Sequence, residues 1–219
     1  KAEGSMPSLS KTFSELGKNK KYVLGVVSQI LYVGAQIMTW TYIYQYAEAI
    51  DLANADVAGY EKIDVFFYQL LAFILFTVGR IIGTAMLRYM NSGKLLMYFA
   101  LLAAVFVAGT IFIQGMLGLY CVVGISFCMS LMFPTIYGIA LNDLTEEQSK
   151  VGSAGLVMAI VGGALMPMLQ GVIIDTGGNG VADTTIMGVS EVNFSFILPL
   201  CCFILIAMYG RFAFKNVNA

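Results

Sequence analysis

The sequence predicts an all-α membrane protein of six transmembrane helices. Three observations carry this. Of 219 residues, 59% are hydrophobic and only 11% charged, less than half the roughly 25% of a soluble domain. Charge this sparse cannot cover a water-facing surface. The chain also contains long uncharged apolar runs near the roughly 20 residues that a spanning helix needs. Finally, the charges gather at the ends of and between those runs, with eleven of the twelve basic residues on one side. The lipid bilayer is thus the partner that the composition demands. A net charge of −1 and the lack of a basic stripe speak against nucleic acid.

Residues 1–21 (KAEGSMPSLSKTFSELGKNKK) have no apolar core, which excludes a signal peptide and leaves a polar, mobile lead-in. The first span covers about 22–47 and ends at the acidic stretch AEAIDLANADVAGYEKID; the second covers about 65–87. Between Lys94 and Asp143 lie 48 residues (95–142) without a charge. At ~1.5 Å per residue that is too long for one helix. Gln114-Gly115, with Gly118, divides it into spans at about 95–113 and 117–141. The fifth span covers about 151–174 and the sixth about 193–212.

With six spans both termini lie on one side. That side holds Lys1, Lys11, Lys18, Lys20, Lys21, Arg88, Lys94, Lys150, Arg211 and Lys215, and Arg80 leans toward it, so eleven of the twelve basic residues stand against Lys62. The excess of Lys and Arg makes this face cytoplasmic, so both termini are expected inside. The opposite side carries Glu48, Asp51, Asp56, Glu61, Asp64, Asp175, Asp183 and Glu191.

Side-chain chemistry then singles out three spans. On the first, Gln29, Tyr32, Gln36 and Trp40 share an arc of about 80° at 100° per residue. Amides bond hydroxyl groups as donor and acceptor together, and flat aromatic faces pack against a sugar ring, so this stripe reads as the wall of a wet cavity. The alternative is interhelical glue, with Gln and Tyr satisfying one another between helices. On the fourth span Ser126, Ser130, Phe133 and Tyr137 share a face, and Pro134 removes a backbone donor and kinks the helix, freeing carbonyls near mid-membrane. A gate or binding wall and ordinary bent-helix packing both use such residues. The fifth span, GSAGLVMAIVGGALMPMLQG, carries Gly162 and Gly163 for close helix approach and Pro167 for a bend, with Gln170 as its one notable polar side chain.

Several chemistries drop out. Without histidine, histidine-ligated zinc and Ser-His or Cys-His dyads are excluded, and no catalytic residue, metal site or cofactor is expected. Cys121, Cys128, Cys201 and Cys202 sit in apolar runs and read as buried free thiols. No Asp, Glu or Lys lies within a span away from its ends, so the chain by itself lacks an evident proton relay.

Read together, four segments carry a resemblance: GVVSQILYVGAQIMTWTYIYQYAE, GRIIGTAMLRYM, MFPTIYGIALNDL and SKVGSAGLVMAIVGG. In order and spacing they resemble the C-terminal half of the fucose permease family of the major facilitator superfamily, which shows GR-x-x-GT, YPTIF and KxGSxxIxMxIxGG at the corresponding places. The resemblance covers about 21–174. It implies one half of a twelve-helix fold working by alternating access, with a small sugar as substrate and the proton as coupling ion. The coupling carboxylates would belong to a missing N-terminal six-helix half, and the location would be the bacterial inner membrane. Residues 1–21 would link the halves, 22–214 form the transporter domain and 215–219 a cytoplasmic tail. Gln29, Tyr32, Gln36, Trp40, Ser130, Phe133 and Tyr137 would contact substrate. Arg80, Arg88, Pro134, Gly162, Gly163 and Pro167 would be structural or gating. Phe133 departs from the family tyrosine before Pro-Thr, so a hydroxyl contact there is lost. A self-contained six-helix carrier or channel acting as a homodimer, and a structural or assembly subunit, stand as rival readings.

Overall fold

A computed structural model describes residues 9–178 and 180–217. Lys1, the first eight residues of the expected linker and the last two of the expected tail lie outside the described residues. Six helical segments are long and apolar enough to cross a membrane: Lys20–Ala53, Val65–Met86, Ser92–Phe112, Met116–Leu141, Glu146–Ile174 and Glu191–Lys215. The six expected spans are therefore present, each within a few residues of its expected bounds.

Four of the spans are interrupted. Span one is α2 (Lys20–Thr41) followed by α3 (Ile43–Ala53), broken at Tyr42. Spans two and three are the unbroken α4 (Val65–Met86) and α5 (Ser92–Phe112). Span four is α6 (Met116–Met129) and α7 (Met132–Leu141). Span five is α8 (Glu146–Met158), one 3-10 turn (Ala159–Val161) and α9 (Gly162–Ile174). Span six is α10 (Glu191–Ser195) and α11 (Ile197–Val217).

The lead-in differs from expectation. Residues Leu9–Lys18 form a helix, α1. Leu9, Phe13 and Leu16 fall at the i, i+4, i+7 spacing of one helical face. Leu16 is 2% exposed and packs with Tyr22, Ala140 and Leu156. The buried Leu16 ties down a stretch whose average composition is polar. Span one also runs six residues beyond its expected end, to Ala53, because its acidic residues find room on the helix surface: Glu48 is exposed, and Asp51 accepts from the Tyr60 hydroxyl and the Ile63 amide. Of the cysteines, Cys128 and Cys202 are buried, Cys121 is half-buried and Cys201 is exposed on the outer surface, so burial of all four does not hold. An exposed thiol on a bilayer-facing helix costs nothing, since lipid is as apolar as the core.

Helix ends are capped where water or polar groups are in reach. Asn19 caps α2, Asp64 caps α4 and Asn91 caps α5. Thr145 and Gln148 form a reciprocal capping box on α8. At the other face, the two-residue strands β1 (Thr185–Ile186) and β2 (Val189–Ser190) pair as a small hairpin ahead of α10. The fully buried Glu191 holds this loop by accepting from the Gly177 and Asp183 amides.

On the face where α2 begins, Lys21 pairs with Asp143, tying span one to the connection between spans four and five. The ammonium's hydrogen bond holds the Asp143 carboxyl below its usual range. A lowered carboxyl adds stability that is fully present above the unfolded-chain value, about 4, and fades as pH falls through the lowered one. The thermal stability of wild type should therefore exceed that of Asp143→Asn modestly at pH 7, and the gap should close on acidification. A gap unchanged down to pH 3 would remove this role.

Candidate functional site

The seven residues expected to contact substrate come from α2, α7 and, for Ser130, the break between α6 and α7, and the structure sorts them by exposure. Tyr32 is fully buried, and its hydroxyl donates to the Met129 carbonyl at 3.0 Å. Trp40 is half-buried; its indole N–H donates to Ser126 Oγ at 3.1 Å. Both bonds run between spans one and four. The Trp40 ring also meets Phe73 and Phe76 of α4 edge-on, with centroids 5.0 and 5.2 Å away. Phe133 sets its edge toward Tyr32 at 6.1 Å. Ser130 is buried and donates to the Phe127 carbonyl at 2.8 Å.

The remaining candidates divide. Gln36 is half-buried, so its amide keeps accessible surface. Gln29 is 0% exposed, and neither its Oε1 nor its Nε2 has a hydrogen-bond partner within the described residues. Such burial is unfavourable by several kcal/mol in an apolar setting (roughly 2–7) unless a partner arrives. Tyr137 is half-buried and packs toward the Leu16, Tyr22 and Leu156 cluster, away from Trp40. The structure thus brings Tyr32 and Phe133 together, ties Trp40 to Ser126, Phe73 and Phe76 and Ser130 to Arg80, sets Gln36 on the same stripe of α2, and leaves Tyr137 with the Leu16 cluster.

The junction of spans one, two and four has a simple physical origin. Pro134 has no amide proton, so the carbonyl four residues earlier, that of Ser130, loses its usual partner. Span four is broken at this point, between Met129 and Met132. Two side chains serve the loosened carbonyls. Tyr32 donates to Met129, and Arg80 Nε donates to Ser130 at 3.2 Å. The Arg80 guanidinium also lies over the Phe76 ring, 5.0 Å from its centroid. In hydrocarbon each unserved backbone group costs several kcal/mol, which explains why a phenol and a guanidinium converge here.

Among the residues expected to be structural, Arg88 and Pro134 are exposed. Gly162 and Gly163 lie against α2. A Cβ on Gly162 would overlap the Ile30 carbonyl, and one on Gly163 would press on Ile37 and Val33 at 3.0 and 3.1 Å. Gly34 faces them reciprocally, its Cβ position 3.2 Å from the Gly162 carbonyl. Pro167 lies inside the unbroken α9, so the interruption of span five is not there but at the 3-10 turn 159–161, and the Tyr42 hydroxyl donates to the Pro167 carbonyl at 2.7 Å.

Two clusters had weaker sequence signals. Phe73, Phe76 and Arg80 on α4 are spaced by three and four residues, a helical face that only becomes meaningful once Trp40 lies against it. Near the opposite end, Asn193 donates to the Tyr46 hydroxyl and to the Thr110 carbonyl, and Tyr46 donates to Thr110 and Ile113. Gln170 donates to Ser195 Oγ at 2.9 Å, but its Oε1 has no partner among the described residues.

Comparison with known proteins agrees with this architecture. The L-fucose-proton symporter of Haemophilus influenzae is 48% identical over 213 residues, covering 97% of this chain and 46% of that protein. The glucose/galactose transporter of Brucella abortus is 31% identical over 89% of this chain and 42% of its own length. FucP, the fucose:proton symporter of E. coli and a major facilitator superfamily transporter, superposes in its outward conformation with a TM-score of 0.81. That match is 26% identical and covers 97% of this chain and 47% of FucP. The chain spans about half the length of the curated relatives it matches. No family model matches it.

Proposed function

We infer that this chain, which belongs to the fucose permease family of the major facilitator superfamily, is the C-terminal six-helix half of a sugar:proton symporter of the bacterial inner membrane. The observation that carries the reading is the 48% identity to an L-fucose-proton symporter across 97% of the chain. The glucose/galactose relative extends the substrate class to those hexoses. An N-terminal half supplies the other wall of the cavity and the coupling carboxylates. Both termini of this half face the cytoplasm, a reading supported by the bias of basic residues. Residues 1–21 link the halves and 22–214 form the transporter domain.

In this reading Gln36, Trp40 and Phe133 present the accessible surface of the sugar site, since all three are only half-buried, while Tyr137 packs with Leu16, Tyr22 and Leu156 outside it. Gln36 bonds sugar hydroxyls through its amide, and the aromatic faces take the C–H face of the ring. Tyr32 and Ser130 stand behind them and hold the break in span four. Gln29 reaches substrate only when α2 shifts against its neighbours, and its unpartnered amide makes such a shift less unfavourable. Arg80, Arg88, Pro134, Gly162, Gly163 and Pro167 set where the half bends and how closely its helices slide, as alternating access requires.

Co-expression of this chain with its N-terminal half should give uptake of labelled L-fucose, glucose or galactose that a protonophore abolishes. Uptake by this chain alone would favour the six-helix homodimer instead. Within the active pair, Gln36→Ala should weaken sugar binding about tenfold, the loss of one to two hydrogen bonds to a neutral hydroxyl, as read by equilibrium binding. Unchanged affinity would take Gln36 out of the site.

A further inference from the structure

This half carries a groove that the transport reading does not use. It runs between α2 and α11, encloses about 260 Å³ and is walled by Leu24, Val27 and Leu31 on one side and Leu205, Met208 and Phe212 on the other. Each set follows the i, i+3, i+7 spacing of one helical face. These side chains are far from sealed: Val27 is 45% and Met208 62% exposed. The polar groups nearest the floor are occupied or small. Tyr209 lends its hydroxyl to the Lys21 carbonyl, and Ser28 is buried.

The charge at the mouth identifies the occupant. Lys20 precedes Leu24 by four residues, so it lies one turn further along the same face of α2. Lys215 follows Phe212 by three and continues the same face of α11. Because α2 begins where α11 ends, the two ammonium groups stand at the same end of the groove. Both are exposed, and neither forms an ion pair among the described residues. The neighbouring Lys21 is already engaged with Asp143. An apolar trough inside the membrane, ending in two cations at the interface, matches a molecule with an apolar chain and an anionic head.

We propose that the α2–α11 groove is a binding site for an anionic glycerophospholipid, one acyl chain lying along Leu24, Val27, Leu31, Leu205, Met208 and Phe212 and its phosphodiester held between Lys20 and Lys215. Basic pockets between transmembrane helices select anionic headgroups in this way, since each Lys or Arg near the interface adds its own attraction. The proposal goes beyond the sugar site and requires that the six helices span a bilayer and that the groove face lipid and not the N-terminal half.

Native mass spectrometry of the intact transporter, titrated with phosphatidylglycerol or phosphatidylcholine, tests it. The wild type should retain phosphatidylglycerol about tenfold or more in preference to phosphatidylcholine, as two interfacial lysines allow. Lys20→Gln with Lys215→Gln should erase that preference while leaving phosphatidylcholine retention and thermal stability unchanged. Leu24→Trp with Met208→Trp, which fills the trough, should lower retention of both lipids. A photoreactive residue placed at Met208 should crosslink to phospholipid. Equal retention of the two lipids by wild type, a preference that survives the lysine substitutions, or crosslinking at Met208 to protein would each overturn the site.

Discussion

Replacing Gly162 by valine is expected to cause a large loss of folded transporter. The reason is backbone against backbone. The Ile30 carbonyl of α2 occupies the place where a Cβ on residue 162 would go, and Gly34 on α2 faces the Gly162 carbonyl in return. A flexible side chain could turn aside, but a carbonyl inside a helix cannot move without its helix. Overpacking of this kind costs typically 1–3 kcal/mol and sometimes more. Here it also separates the two helices whose packing rests on small residues rather than on hydrophobic drive, which is absent in lipid. Thermal stability in detergent, read by size-exclusion of the heated protein, should fall sharply for Gly162→Val. Gly138→Ala is the matched control, because a Cβ there meets nothing within 4 Å. Equal melting of the two variants would refute the close-approach argument.

The second large effect is a coupling between two residues that do not touch in sequence. Arg80→Leu should destabilise the protein by about 1–3 kcal/mol, because the Ser130 carbonyl then has neither a backbone nor a side-chain donor. In a Pro134→Ala background the amide of residue 134 becomes available to Ser130, four residues earlier, and Arg80 should matter much less. A double-mutant cycle isolates this term, expected at about 0.5–3 kcal/mol of coupling. The ring contact of Arg80 with Phe76 is lost in both arms and cancels. Additive effects within about 0.3 kcal/mol would mean that Arg80 does not serve the proline-induced break. The same variants should also be scored for uptake. If the break is where span four flexes, Pro134→Ala should slow transport while stabilising the fold.

Much of this protein is legible from composition and spacing. The spans follow from chain length against bilayer thickness, so 65–87 and 95–113 needed no tertiary information to within about three residues. The weakness at Pro134 follows from the missing amide proton alone. The lead-in was less legible, since Leu16 in a polar stretch is buried only because Tyr22, Ala140 and Leu156 stand ready to receive it. The stripe on α2 was legible as a stripe but not as a set of contacts. A helical projection places Gln29, Tyr32, Gln36 and Trp40 on one arc, yet within that arc Gln29 and Tyr32 are sealed while Gln36 and Trp40 keep accessible surface.

Composition and spacing alone establish that this chain lives in a bilayer, how many times it crosses, and that span four weakens ahead of Pro134. Each of these depends on local quantities: hydropathy over a run, a rise per residue, a proton that proline lacks. Which side chains answer that weakness is a matter of tertiary packing. Arg80 is fifty residues from Ser130 and Tyr32 ninety-seven from Met129, and no local rule connects them. In a medium without water a freed carbonyl must find a donor inside the protein, and which donor reaches it depends on how α2, α4 and the two pieces of span four come to lie against one another.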